Sequence, residues 1–221
     1  MNQTQLHERI LENKDWAALV FVLCMLFVAL TKSAFENKFS DFKNLIISEK
    51  YIKTYRDSSH LMTWFTFLLF IVQILTFSFF IHYLMYYFGY TTKSNWVIYI
   101  RIVTFLTFFV LSKYLIEKII ATAFDIEEFA EQYNMIKVSY RSFVSIVLLP
   151  TTIILYYNID PKLIIIKILL YFLLVVNAFI YSKGFKIFQK LIIGKLFYFI
   201  LYLCTLEIAP YYFMYYWFTK K

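Results

Sequence analysis

Long uncharged apolar runs separated by short charged connectors set the pattern of this chain. Trp16 to Thr31 holds no charge. At 1.5 Å per residue it extends roughly 24 Å, the short limit for crossing a bilayer, and continuation through Ser33 and Ala34 completes a first span over 16–34. Leu61 to Thr92 has His82 as its one ionisable imidazole and ends in a tyrosine-rich stretch of the kind that sits at a membrane interface. It predicts a second span over 61–88. A short turn then leads to a third span, 96–115, interrupted by Arg101. The fourth, 142–158, contains Pro150, and the fifth, 163–182, contains Lys167 and Asn177. The sixth, 195–217, reads KLFYFILYLCTLEIAPYYFMYYW and carries Glu207 with Pro210 three residues on. The expectation is an all-α membrane protein of about six transmembrane helices, a single polytopic domain over 1–221.

The connectors add detail. Phe35, Phe39, Phe42 and Ile46 are spaced four, three and four apart, one helical face. They predict an amphipathic helix after the first span. It either lies on the membrane surface with Lys38, Lys43, Lys50 and Lys53 towards headgroups, or packs under the bundle. The helical pattern of the third span continues through Lys113, Glu117 and Lys118 towards the acidic patch Asp125, Glu127, Glu128 and Glu131. Lys113 and Glu117, four apart, are expected to form an interfacial salt bridge, and the acidic patch is expected to be a solvated face. The connectors after spans one, three and five hold about twice as many Lys and Arg as the other side. The positive-inside rule therefore places them in the cytoplasm and both termini in the periplasm.

Composition agrees with this reading: 62% hydrophobic and 23% aromatic residues, against about 45–50% apolar in soluble domains. The net charge of +8 does not signal nucleic acid, because the basic residues flank apolar runs where they orient a membrane protein. The partners expected are the lipid bilayer and other membrane or envelope proteins. Cys24 and Cys204 sit inside apolar runs and read as packing residues. The first run lacks a small-residue cleavage site and is followed by Lys32, so it reads as a retained span.

Candidate chemistry is sparse. A carboxylate within a span is costly and usually faces a bundle interior or an aqueous cavity. Glu207 lies roughly 18 Å past the inner end of its helix and Arg101 roughly 8 Å from the outer end of its own, in a core of about 30 Å. Their depths match within an arginine's reach, which predicts an intramembrane Glu207–Arg101 pair that fixes helix packing. Pro150 and Pro210 are candidate kinks. Gln73, His82 and Asn177 are candidate polar lining. Zinc-protease, nucleophile-elbow, phosphate-loop and dinucleotide motifs are all missing from the sequence, so no catalytic residue, metal or cofactor is assigned.

The run YLCTLEIAP, Tyr202 to Pro210, closely preceded by GKLFYFI, resembles the C-terminal signature of an integral-membrane family of Bacteroidota, domain of unknown function 4271. ENKDWAALVF, KYIKTYRDSSHL, SKYLIEKIIATAFDIEEF and KVSYRSF with the later LLP extend the resemblance over nearly the whole chain. It implies a multi-pass protein of a bacterial inner membrane and no particular reaction. Taken together, the residues favour a non-catalytic subunit or accessory factor of a cell-envelope complex, such as one of protein export or gliding. The alternatives are a proton-coupled transporter or channel using Glu207, and an intramembrane enzyme acting on a lipid-linked substrate.

Overall fold

The computed structural model describes residues 15–45, 63–123, 127–157, 163–194 and 216. All regular structure among them is helical: α1 Asp15–Ala34, α2 Glu36–Lys43, α3 Trp64–Tyr87, α4 Trp96–Ala123, α5 Glu127–Tyr157 and α6 Leu163–Gly194. Four segments are long and apolar enough to cross a bilayer, namely α1, α3, α4 and Ala130–Tyr157 of α5. Ile164–Ile180 of α6 is a shorter apolar stretch. The protein is therefore an all-α chain built for membrane embedding. The predicted sixth span, with Glu207, Pro210 and Cys204, lies outside the described residues except for Tyr216, which is exposed.

Local sequence explains the sharpest reversal. Helix α3 starts at Thr63, whose side chain accepts a hydrogen bond from the Thr66 backbone N–H at 3.4 Å. It ends at Gly89, whose φ of +79° is the left-handed conformation that a side chain would strain. The Gly89 N–H donates to the Tyr86 carbonyl and the Tyr90 N–H to the Met85 carbonyl, each at 2.9 Å. These two bonds close a Schellman motif. Asn95 then caps α4, its side-chain oxygen accepting from the Ile98 N–H at 3.3 Å. The turn 88–95 thus sends α4 back along α3.

Helix α3 is central, packing on α1, α4 and most extensively α5, and α5 also meets α2 and α6. The buried face of α1 is Ala17, Phe21, Cys24 and Thr31, and its opposite face, from Leu19 to Leu30, is open. Cys24 packs on Val72 and Leu149, as expected of a packing cysteine. Among these apolar helices in lipid, close packing and polar side chains do what water exclusion does in a soluble core. Ser142 Oγ donates to Gln73 Oε1 at 3.2 Å across the α3–α5 seam. Thr31, Thr104 and Thr107 return their hydroxyls to the carbonyl four residues back.

The core has two ends. Near the α3–α4 turn, Ala17, Phe79, Tyr83, Tyr99, Tyr156 and Ile166 form one cluster. At the opposite end, Phe39, Phe42 and Leu45 pack on Phe65, Tyr133 and Tyr140. The phenylalanines of α2 therefore close the end of the bundle, deciding between the two placements left open for the amphipathic helix. Phe42 meets the rings of Phe65 and Phe143 at 5.8 and 5.9 Å. Ile46 lies outside the described residues.

Candidate functional site

Among the described residues, and apart from the Gln73–Ser142 bond of the α3–α5 seam, the prominent polar and charged groups lie in four separate places, not one cavity. The first is a buried ion pair. Lys137 Nζ on α5 donates to both oxygens of Glu117 on α4, at 3.0 and 3.2 Å, and lies 4.7 Å from the centroid of the Tyr133 ring. Both charged side chains are about 4% exposed. The buried salt bridge of Glu117 thus runs across helices to Lys137, where the sequence suggested a bridge along α4 to Lys113. The reason is position: Tyr99, Glu117 and Ala121, the buried residues of α4, share one strip that faces the bundle, and Lys137 sits on the buried face of α5 opposite it. Desolvated charges require each other, so this pair welds α4 to α5.

The second place is the turn between α3 and α4. Lys93, 5% exposed, donates from Nζ to the Tyr156 carbonyl at 3.4 Å, while the Tyr156 hydroxyl donates to the Lys93 carbonyl at 3.1 Å. The ammonium also sits 4.8 Å from the Tyr86 ring centroid. A cation on the last carbonyls of α5 meets the negative end of that helix. Tyr156→Phe removes one donated hydrogen bond. It is expected to lower stability by about 0.5–1.5 kcal/mol, measured as the shift in thermal melting in mild detergent; an unchanged melting curve contradicts the clamp.

The third place surrounds His82. Leu75, Ser78, Phe79 and His82 form one stripe of α3, facing the first turns of α1 and α4. The imidazole is fully buried, edge-on to Trp16 with ring centroids 5.6 Å apart, and 6.2 Å from Tyr99. The Tyr99 hydroxyl donates to the Leu75 carbonyl at 3.4 Å. Among the described residues Ser78 Oγ and Trp16 Nε1 are buried without a hydrogen bond, and the ring nitrogens of His82 have none of good geometry, the Asn95 backbone interacting with the imidazole only weakly. Polar atoms in this state normally hold ordered water.

The fourth place is Arg101, exposed on the outer face of α4. Arg101, Phe105, Phe108, Leu115 and Ile119 run along that face at helical spacing, and Phe108 is 73% exposed. Its predicted partner Glu207 lies outside the described residues.

The remaining predicted positions are dispersed. Gln73 is buried in the α3–α5 seam and His82 in the α1–α3–α4 cluster. Asn177 is exposed on α6, its amide returned to the Leu173 carbonyl at 3.0 Å. Pro150 is exposed within α5, which is helical on both sides of it. Of the acidic patch, Glu127 and Glu131 are exposed, as a solvated face requires, and Asp125 lies outside the described residues. The buried pair Glu117–Lys137 is the feature that sequence reasoning missed. Its signal was present in the stripe Ala130, Tyr133, Lys137 and Tyr140, which keeps one face of a helix through what read as a polar connector.

No curated protein and no solved structure matches the chain. A family model matches residues 17–218, nearly all of the sequence, including the apolar runs and the Glu207 segment. The chain therefore belongs to the family described as domain of unknown function (DUF4271).

Proposed function

We propose that this protein is a non-catalytic subunit or accessory factor of a cell-envelope complex in a bacterial inner membrane, with its termini in the periplasm and α4 as its assembly face. The observation that carries this reading is Arg101. Apolar residues facing outward are normal on a helix in lipid and identify no partner by themselves. An arginine among them is different, since a cation within a span carries an insertion cost, up to about 2.5–3.5 kcal/mol at a helix centre and less for Arg101, roughly 8 Å from the outer end of α4. A counter-charge removes that cost, and we assign it to Glu207 in the C-terminal apolar run. The open face extends from Ile100 and Leu111 on one edge to Phe105 and Ile116 on the other. At 3.6 residues per turn that is roughly 160° of arc. It exceeds the narrow seam of one helix pair, leaving room for the C-terminal run and for a helix of another protein.

The test is affinity purification of the full chain, at its native expression level, in a gentle detergent. A stoichiometric membrane partner that stays with the wild type and is lost in Arg101→Glu supports the reading. A chain that runs alone and monodisperse refutes it. A proton-coupled transporter using Glu207 is the second reading, favoured by the buried Ser78–His82 step with its weakly bonded nitrogens. Glu207→Gln then abolishes function while leaving the protein inserted, and a normal phenotype in that variant eliminates it.

A further inference from the structure

Two adjoining hollows near the C-terminal end of α4 and the N-terminal end of α5 share the residues Tyr114 and Asn134 and differ in chemistry. The larger is an apolar groove of about 110 Å³ between α3, α4 and α5, walled by Phe67, Phe70, Val110, Leu111 and Val138. The smaller is a cleft of about 20 Å³, lined by Lys118 of α4 and Glu127 and Glu131 of α5. Along the helix axes the order is regular. Glu127 stands outermost, followed by Lys118 and Glu131, then Tyr114 and Asn134, then the apolar walls. Four residues separate Lys118 from Tyr114 and three separate Glu131 from Asn134, in each case about one helical turn. The path thus changes from charged to hydrogen-bonding to apolar over the distance between a lipid headgroup and the start of its chains.

We propose that this path is a binding site for one phospholipid with a primary-amine headgroup, of the phosphatidylethanolamine class. An acyl chain lies in the groove, the ester region meets Tyr114 and Asn134, the phosphate meets Lys118, and the ammonium meets Glu127 and Glu131. Charge selects this occupant. Among the described residues the cleft is lined by one cation and two carboxylates, which offer a partner to each charge of a headgroup with one anion and one cation. A phosphatidylglycerol headgroup brings the anion without the cation and confronts both glutamates. A phosphatidylcholine headgroup brings the cation without N–H donors for charge-assisted hydrogen bonds. The expected order of retention is therefore ethanolamine, then choline, then glycerol headgroups.

The experiment uses the full chain, delipidated in mild detergent and then offered equimolar phosphatidylethanolamine, phosphatidylcholine and phosphatidylglycerol with identical chains. Bound lipid is read by native mass spectrometry. One phosphatidylethanolamine per chain is expected, retained roughly tenfold over phosphatidylglycerol, a ratio equivalent to about 1.4 kcal/mol. Glu131→Gln, at an exposed position that the fold tolerates, is expected to erase most of that preference, and Lys118→Gln to weaken retention of all three lipids. Val138→Trp, which fills the groove, is expected to remove the bound lipid with helix content unchanged by circular dichroism. Free phosphoethanolamine, lacking chains, is expected not to compete. Equal retention of the three lipids by the wild type, a preference untouched by Glu131→Gln, or full competition by free phosphoethanolamine overturns the proposal.

Discussion

Glu117→Ala is expected to destabilise the bundle by about 3–5 kcal/mol, because it leaves the Lys137 ammonium buried without its counter-charge. Lys137→Ala is expected to cost a similar amount for the reciprocal reason. The Tyr133 ring at 4.7 Å gives the lysine some attraction, but a cation–π contact contributes about 0.5–2 kcal/mol and does not replace a carboxylate with two oxygens in range. The double variant Glu117→Leu with Lys137→Met is the informative control. Replacing a buried pair with apolar side chains of similar volume is often neutral or stabilising by about 1–4 kcal/mol. Its melting curve in mild detergent is therefore expected to return to that of the wild type or exceed it. If either alanine variant melts like the wild type, the pair does not hold α4 to α5.

The second large effect concerns Arg101, where stability and assembly are expected to move in opposite directions. Arg101→Leu alone leaves Glu207 without its counter-charge, so the informative variant is Arg101→Leu with Glu207→Gln, which removes both charges from the membrane. The variant is therefore expected to insert at least as well as the wild type and to melt no lower, while losing its partner. Charge reversal separates the sources of the counter-charge. Arg101→Glu and Glu207→Arg are each expected to abolish assembly, and the combination to restore it. Failure of the combination, with both single variants stably inserted, removes Glu207 from the role assigned here.

The membrane class and most helix positions were legible because apolar runs long enough to span a bilayer have few other uses. The observed helices begin and end close to the predicted ones for α1 and α3. Helix α4 runs on through Lys113, Glu117 and Lys118 as its pattern predicted, whereas α5 begins and α6 ends well outside the predicted spans, where charge was read as connector. That misreading has a physical cause. Lys137 and Glu117 look like connector residues when each is read alone, yet each neutralises the other inside the protein, a pairing between helices that no single helix displays. Helix α2 shows the converse case. Its phenylalanine spacing announced an amphipathic helix, but only the partners Phe65, Tyr133 and Tyr140 determine that the apolar face closes the bundle end. Gln73 and His82 were marked as polar and intramembrane without any indication that they serve different seams. Gln73 bonds Ser142 across α3 and α5, whereas His82 lies among Trp16, Phe79 and Tyr99.

The claim on which the account depends is that the face of α4 bearing Arg101 is covered by protein in the membrane. Photoreactive residues placed at Leu111 and Ile116, the opposite edges of that face, test it in native membranes. At least one position is predicted to yield a heavier protein adduct of constant mass that Arg101→Glu eliminates; lipid adducts alone at both positions would contradict the account.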